Sequence, residues 1–362
     1  KVKKPQFHAV ISTKFRERSK EELSKIGEDF MQEMGYGHQP YIIVFHNDTE
    51  NNHIHIISTR VDKETGKKIK DNYEKLKAQK ALSKVLEQGY GINQEEVLKK
   101  LLDYEISNLQ QLEILLQRSG YRLVKSTNEG GIHKVLKNGV LQREILDSEL
   151  KFRNTKADSR IYQLRAILSK YKSISSNKVF KIEDVRTQAS LLPEEKHKET
   201  WKPKVEFESE LQKRLRDIFG IDIVFHFKDH HLPFGYTLID HKSGTVFKGS
   251  EILKMNELFE FTPDVIDKKE FERLKDFNIS DPRLKQILLQ HLNQNNSDRE
   301  IKDYMLFESK KIKSKNHYQD VRNDVKTYLK TQNNKDIHLV KSAEGIYYAI
   351  HSKHHFIGSL ES

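Results

Sequence analysis

Two apolar runs flanking a short polar stretch constrain this chain more than any other feature. Tyr41-Ile42-Ile43-Val44-Phe45 precedes the stretch His46-Asn47-Asp48-Thr49-Glu50-Asn51-Asn52-His53, and Ile54 to Ile57 follow within and after it. Both runs are rich in β-branched and aromatic residues, so the pair reads as two strands joined by a hairpin connection. Strand side chains alternate faces, which places Ile42, Val44 and His46 on one face of the first strand and His53, His55, Ile57 and Thr59 on one face of the second. An antiparallel return gathers His46, His53 and His55 at one end of the hairpin. Three neutral imidazoles with a fourth position open describe a catalytic metal site better than a structural one. Such a set suits Mn, Zn, Ni or Co, and Mg where a phosphate oxygen adds a hard ligand.

The flanking sequence extends the pattern. Gln6 to Thr13 alternates Phe7, Ala9 and Ile11 against His8, Val10 and Ser12, as a strand does. Ser19-Lys20-Glu21-Glu22 is a capping box, opening a helix with Leu23, Ile26, Phe30 and Met34 at helical spacing and Gly35 and Gly37 at its end. Asp62 to Lys68 reads as a turn, and a helix follows from about Tyr73 to Gln88. Strand, helix, strand, strand, helix predicts an α+β fold with helices packed on one face of an antiparallel sheet.

Beyond residue 93 one unit recurs. A helix ending near Gln117 leads into Gly120-Tyr121-Arg122-Leu123-Val124-Lys125-Ser126 and later Glu129-Gly130. A helix ending near Leu329 leads into Ile337-His338-Leu339-Val340-Lys341-Ser342 and Glu344-Gly345, so Leu-Val-Lys-Ser and Glu-Gly are shared. A middle copy runs from Leu211 through Gly220-Ile221 to Ser250. The expectation is a helix plus a three-stranded meander at about residues 108–150, 208–254 and 323–361, separated by helical spacers. The expected organisation is 1–92 as the first domain, 93–172 as a helical region with the first module, and 173–204 as a charged linker. The second module then occupies 205–262, and 263–362 is a helical region with the third. Asp264 to Lys315 reads as several helices with basic faces, and His230-His231 and His354-His355 read as solvated turn residues.

Composition narrows the function class. The chain has 362 residues, no Cys and a formal net charge of +11. No disulfide framework or thiolate nucleophile is available, and no apolar run reaches the length of a membrane span. The basic balance favours an anionic partner, nucleic acid first. A cytoplasmic protein is the expectation.

With these residues in view, the chain resembles a known family. His53-Ile54-His55 with upstream His46 resembles the metal motif of the HUH endonucleases, two histidines flanking one hydrophobic residue. Phe7-His8-Ala9-Val10-Ile11-Ser12, Met34-Gly35-Tyr36-Gly37 and Pro40 to Asp62 resemble in particular the MobB-like relaxase/mobilisation nuclease family. The similarity covers about residues 1–92, and Phe219 to Lys254, with Asp240-His241-Lys242 and Lys248-Gly249-Ser250, resembles the downstream part of such proteins. The resemblance implies metal-dependent nicking and religation of one DNA strand at an origin of transfer of a plasmid or mobile element. A tyrosine attacks the phosphodiester and forms a 5′-phosphotyrosine link. It implies His46, His53 and His55 as metal ligands, and single-stranded or hairpin DNA, accessory mobilisation proteins and a coupling protein as partners.

In that family the tyrosine lies upstream of the strand that begins here at Gln6. The chain starts at Lys1, so the expectation is that the natural protein extends further and that this chain alone binds ion and DNA but cleaves poorly. Tyr36, Tyr41, Tyr73 and Tyr90 are internal candidates of lower standing. His8 and Ser12 are read either as phosphate-orienting groups or as plain strand positions. Asp48 and Glu50 are read either as partners of the imidazole N–H groups or as exposed turn residues. Arg60, Lys67, Lys68 and Lys70 form a basic strand end suited to DNA phosphates. Two alternatives stay open: a metal-dependent phosphoesterase using water, and a non-catalytic DNA-binding scaffold.

Overall fold

The computed structural model of the chain describes residues 2–13, 18–46, 52–125, 131–153, 159–184, 204–228, 231–275, 277–295, 300–308 and 315–360. They divide into two compact units, residues 1–154 with 244–246, and residues 155–243 with 247–362.

The first unit opens with β1 (Gln6–Ser12), α1 (Lys20–Glu33), β2 (Tyr41–His46), β3 (His53–Thr59) and α2 (Glu74–Tyr90). The strands form one antiparallel sheet in the order β1-β3-β2. Alternation decides what each face does. Phe7, Ile11, Ile54 and Ile56 point to one side and are buried with Leu23, Ile26, Phe30 and Met31 of α1 and Ala81 and Val85 of α2. Burying side chains of this size contributes roughly 1.5–3 kcal/mol each, so this layer fixes the sheet's register. The predicted capping box is present: the Ser19 hydroxyl accepts from the Glu22 N–H, and the Glu22 carboxylate accepts from the Ser19 N–H. Gly27 lets α1 approach closely, because a Cβ there would lie 2.7 Å from Ile54 Cδ1 and 3.0 Å from Ile43 Cδ1.

The recurring unit is observed. In the first module, helix Leu109–Arg118 precedes strands Tyr121–Val124, Ile132–Lys137 and Val140–Leu146, paired as an antiparallel meander. In the second, helix Glu210–Phe219 precedes Ile221–His226 and Gly235–Asp240, paired antiparallel, and then Thr245–Lys248. In the third, helix Lys315–Thr331 precedes the antiparallel meander Ile337–Lys341, Tyr347–His351 and Phe356–Ser359. Tyr348, Ile350 and Ile357 face the large core of the second unit. Ile337, Ala349 and Phe356 face Val321 and Val325 of the module's own helix.

Two expectations need correction. Lys178–Asp184, inside the stretch expected as linker, is the central strand of a sheet, paired with Lys204–Glu208 on one side and Glu260–Asp267 on the other. Val179, Phe180 and Ile182 are buried there, while residues 185–203 lie outside the described residues. Asp264 to Asp267, expected as helix, closes the strand Glu260–Asp267, whose register shifts between Phe261 and Val265 around Pro263. Helices Lys268–Leu274 and Pro282–Asn295 follow as expected.

Candidate active site

The helix-free face of the β1-β3-β2 sheet carries the histidines. β3 is central, so His53 to Ser58 each have a partner on both sides. His53 lies opposite His46 on β2 and Ser12 on β1, and His55 lies opposite Val44 and Val10. The rings of His46, His53 and His55 form a near-regular triangle, with centroids 5.3 Å (46 to 53), 4.9 Å (46 to 55) and 5.3 Å (53 to 55) apart. His8 extends the group to four, its Nε2 lying 3.0 Å from Nδ1 of His55. Around the imidazoles the same face exposes Val10, Ile42, Val44 and Ile57.

Neighbouring contacts hold this end of the sheet. Asn52, buried just before His53, donates through Nδ2 to the Arg18 carbonyl at 2.8 Å, and its own carbonyl accepts from the Thr13 N–H at 3.0 Å. Sequence reasoning passed over Asn52, because nothing local marks this role: Arg18 lies 34 residues away. At the other end Asp62 Oδ1 accepts from the Glu64 and Thr65 N–H groups and the Thr65 hydroxyl, forming the predicted turn. Gln39, also passed over, donates to Asp62 Oδ2 and accepts from the Lys63 N–H. Those bonds hold the Asp62 carboxyl below the usual carboxylate range, the Thr65 N–H contributing most.

The remaining sequence candidates divide. Arg60 is not a loose basic side chain: its guanidinium grips Glu74 through two nitrogens and donates to the Lys4 and Gln6 carbonyls. It therefore clamps the end of β3 to β1 and the start of α2. Lys67, Lys68 and Lys70 are exposed, with Lys68 paired to Asp71 at 2.8 Å. Asp48 and Glu50 lie outside the described residues. The tyrosines stand apart from the imidazole face. Tyr36 is 2% exposed and stacks on Phe7 in the core, where burial pushes its phenol up. Tyr41 and Tyr90 pack against that core as well. Tyr73 is exposed, in left-handed backbone at the start of α2.

Imidazole nitrogens are donors of the kind that take a divalent ion. Three imidazoles bonded to one ion at about 2.1 Å place their ring centroids roughly 5 Å apart, as these rings are. Their ring nitrogens stand wider: among the described residues, only Asp324, His351 and His354 bring three ligand atoms within 4.8 Å of one another. Ring rotation about Cβ–Cγ is the movement that would close the trio on an ion.

Residues 1–92 match the family model described as relaxase, MobA/VirD2-like, nuclease domain. No curated protein and no solved structure matches the chain. No helix among the described residues is long and apolar enough to cross a membrane.

Proposed function

We propose, from the relaxase nuclease domain carried by residues 1–92, that the chain nicks and rejoins one DNA strand at an origin of transfer of a plasmid or other mobile element. One observation carries the reading: four imidazoles, His8, His46, His53 and His55, meet on the open face of that domain's sheet. His46, His53 and His55 hold a divalent ion, and His8 is the positioning residue that fixes the ring of His55. When bound, the ion polarises a phosphoryl oxygen and neutralises charge that develops on it during displacement.

The protein's own groups do the rest. Val10, Ile42, Val44 and Ile57 give unpaired bases an apolar platform beside the imidazoles. The Ser12 hydroxyl, opposite His53, hydrogen-bonds a phosphate oxygen, and Lys67, Lys68 and Lys70 neutralise flanking phosphates. The nucleophile this reading calls for is a tyrosine hydroxyl. Its oxygen bonds to phosphorus as the phosphorus–O3′ bond breaks, leaving a 5′-phosphotyrosine and a free 3′-hydroxyl, and the reverse attack rejoins the strand. Single-stranded or hairpin DNA, accessory mobilisation proteins and a coupling protein are the partners this reading assigns.

A second reading, hydrolysis by water, is favoured by the tyrosines: Tyr36, Tyr41 and Tyr90 pack on the helical side. One experiment separates the two. The full-length protein is incubated with origin-containing single-stranded DNA and Mn²⁺, and the products are resolved under denaturing conditions. A covalent protein–DNA adduct, lost with chelator and in His53→Ala, supports the transferase. Cleavage without adduct supports the hydrolase. DNA binding with neither cleavage nor bound metal leaves only a scaffold and refutes both enzymatic readings.

A further inference from the structure

The third module gathers a second set of metal-ligand side chains, remote in sequence from the sheet histidines and unrelated to their motif. Asp324 lies mid-way along the helix Lys315–Thr331, His351 ends the strand Tyr347–His351, and His354 sits in the turn before Phe356–Ser359. Register explains the meeting. His351 pairs with Phe356 and lies two residues beyond Ala349, which packs toward the helix, so its imidazole enters the same helix–sheet layer. There it is fully buried, whereas Asp324 and His354 reach the layer from its rim.

The distances are informative. Nε2 of His351 lies 3.3 Å from Asp324 Oδ2, and Nε2 of His354 lies 3.5 Å from the same oxygen. All three ligand atoms fall within 4.8 Å of one another. A charge-assisted N–H to carboxylate bond is shorter, about 2.7–2.9 Å. The edge of a tetrahedron around an ion bonded at about 2.0–2.1 Å is roughly 3.3–3.4 Å. Both observed separations lie at the tetrahedral edge, and in the absence of an ion the His351 imidazole and the Asp324 carboxylate share a long hydrogen bond. A fourth imidazole is close: the ring of His317 lies 5.1 Å from that of His354, seven residues before Asp324 on the same helix and so on the same helical face.

We infer that Asp324, His351 and His354 form a second divalent-metal site, with His317 or water as fourth ligand, that ties the module's helix to its strand hairpin. Two imidazoles and a carboxylate select a borderline ion, Zn²⁺ first, over the hard ions Mg²⁺ and Ca²⁺. With His317 as the fourth ligand the set closes, and the site is a structural clip and not a second reaction centre. It does not rest on the relaxase reading, and His354, read from sequence as a solvated turn residue, is here a ligand.

The test uses the full chain, stripped with chelator and titrated with Zn²⁺, and follows stoichiometry, affinity and melting temperature. His53→Ala/His55→Ala removes the sheet site, so the Zn²⁺ that remains reports on this one. In that background one equivalent is expected to bind and to raise the melting temperature. Adding Asp324→Asn and His354→Gln should weaken it on the order of 100-fold or more and abolish the melting shift. Co²⁺ should show tetrahedral d–d absorption that the same changes remove. His354→Gln alone, at the half-buried rim of the site, decides the matter if the combined variant does not fold. Unchanged Zn²⁺ affinity and melting shift in these variants, or no Zn²⁺ bound in the parent background, overturns the inference.

Discussion

His8 Nε2 and His55 Nδ1 lie 3.0 Å apart, from the outer strand to the central one. That contact links the one histidine outside the hairpin to the trio within it. A group that orients a metal-ligating imidazole contributes about 10- to 100-fold to metal affinity or activity. His8→Ala should therefore reduce strand cleavage by that factor while leaving the melting temperature of metal-free protein unchanged, since His8 is exposed. A cleavage assay across Mn²⁺ concentrations checks it, and excess ion should recover part of the loss. His53→Ala should cost more than 100-fold, with no recovery.

Arg60 and Glu74 should matter for stability before they matter for DNA. Their side chains are 15% and 25% exposed, between a surface pair and a buried one, so breaking the clamp should cost roughly 1–3 kcal/mol. Arg60→Ala and Glu74→Ala should lower the urea midpoint by similar amounts, and the double variant by clearly less than their sum. If Arg60→Ala instead weakens DNA binding at unchanged stability, its role is phosphate contact.

Gly27 gives α1 its close approach to the strand that carries His53 and His55. Gly27→Val adds branches where even a Cβ would crowd Ile54 and Ile43. Overpacking of this kind costs about 1–3 kcal/mol, partly offset by the helix propensity gained on replacing glycine. The expected result is a lower melting temperature together with weaker metal binding at the imidazoles, because Ile54 lies between two of them. Urea titration and Mn²⁺ affinity check the two effects separately.

Asp240 gives the second unit an acid-sensitive support. It is fully buried, it accepts two bonds from Arg160, at 2.6 and 3.1 Å, and the Ser243 hydroxyl donates to it at 2.7 Å. Burial pushes its carboxyl up, but the bonds from Arg160 and Ser243 outweigh that and hold it below the usual range. A depressed folded-state value contributes stability that is fully present above the unfolded value, about 3.9, and is lost as pH falls through the folded one. Wild type should lose stability progressively below about pH 4. Arg160→Leu, which leaves the carboxylate buried without its cation, should cost roughly 3 kcal/mol near neutrality. Because its Asp240 would protonate at higher pH, the acid loss specific to this pair should shrink in the variant. Chemical denaturation from pH 3 to 7 reads both.

What the sequence disclosed was governed by local rules. Alternation put His46, His53 and His55 on one face, and the capping box marked the start of α1 by residues three apart. The helix–meander unit was legible because its strands are consecutive and its Leu-Val-Lys-Ser recurs. The sheet around Phe180 was not. Its parallel partner, Glu260–Asp267, lies some eighty residues away and is broken at Pro263, and Lys178–Asp184 reads as charged linker until that partner covers it. The same holds for Asp324 with His351 and His354: a helix and a turn gave no common spacing to recognise. Arg60 was legible as basic but not as a clamp, since Glu74 lies beyond the turn that returns it.

The central place of β3 has a thermodynamic consequence. His53 and His55 alternate with Ile54 and Ile56, which are fully buried. A slip of one residue against β1 or β2 would therefore put imidazoles into the core and isoleucines into water. The histidine constellation has no local opening of its own short of losing that core. Amide exchange along His53–Thr59 should then proceed only through global unfolding, and the geometry of the site should persist undiminished up to the melting transition and vanish with it.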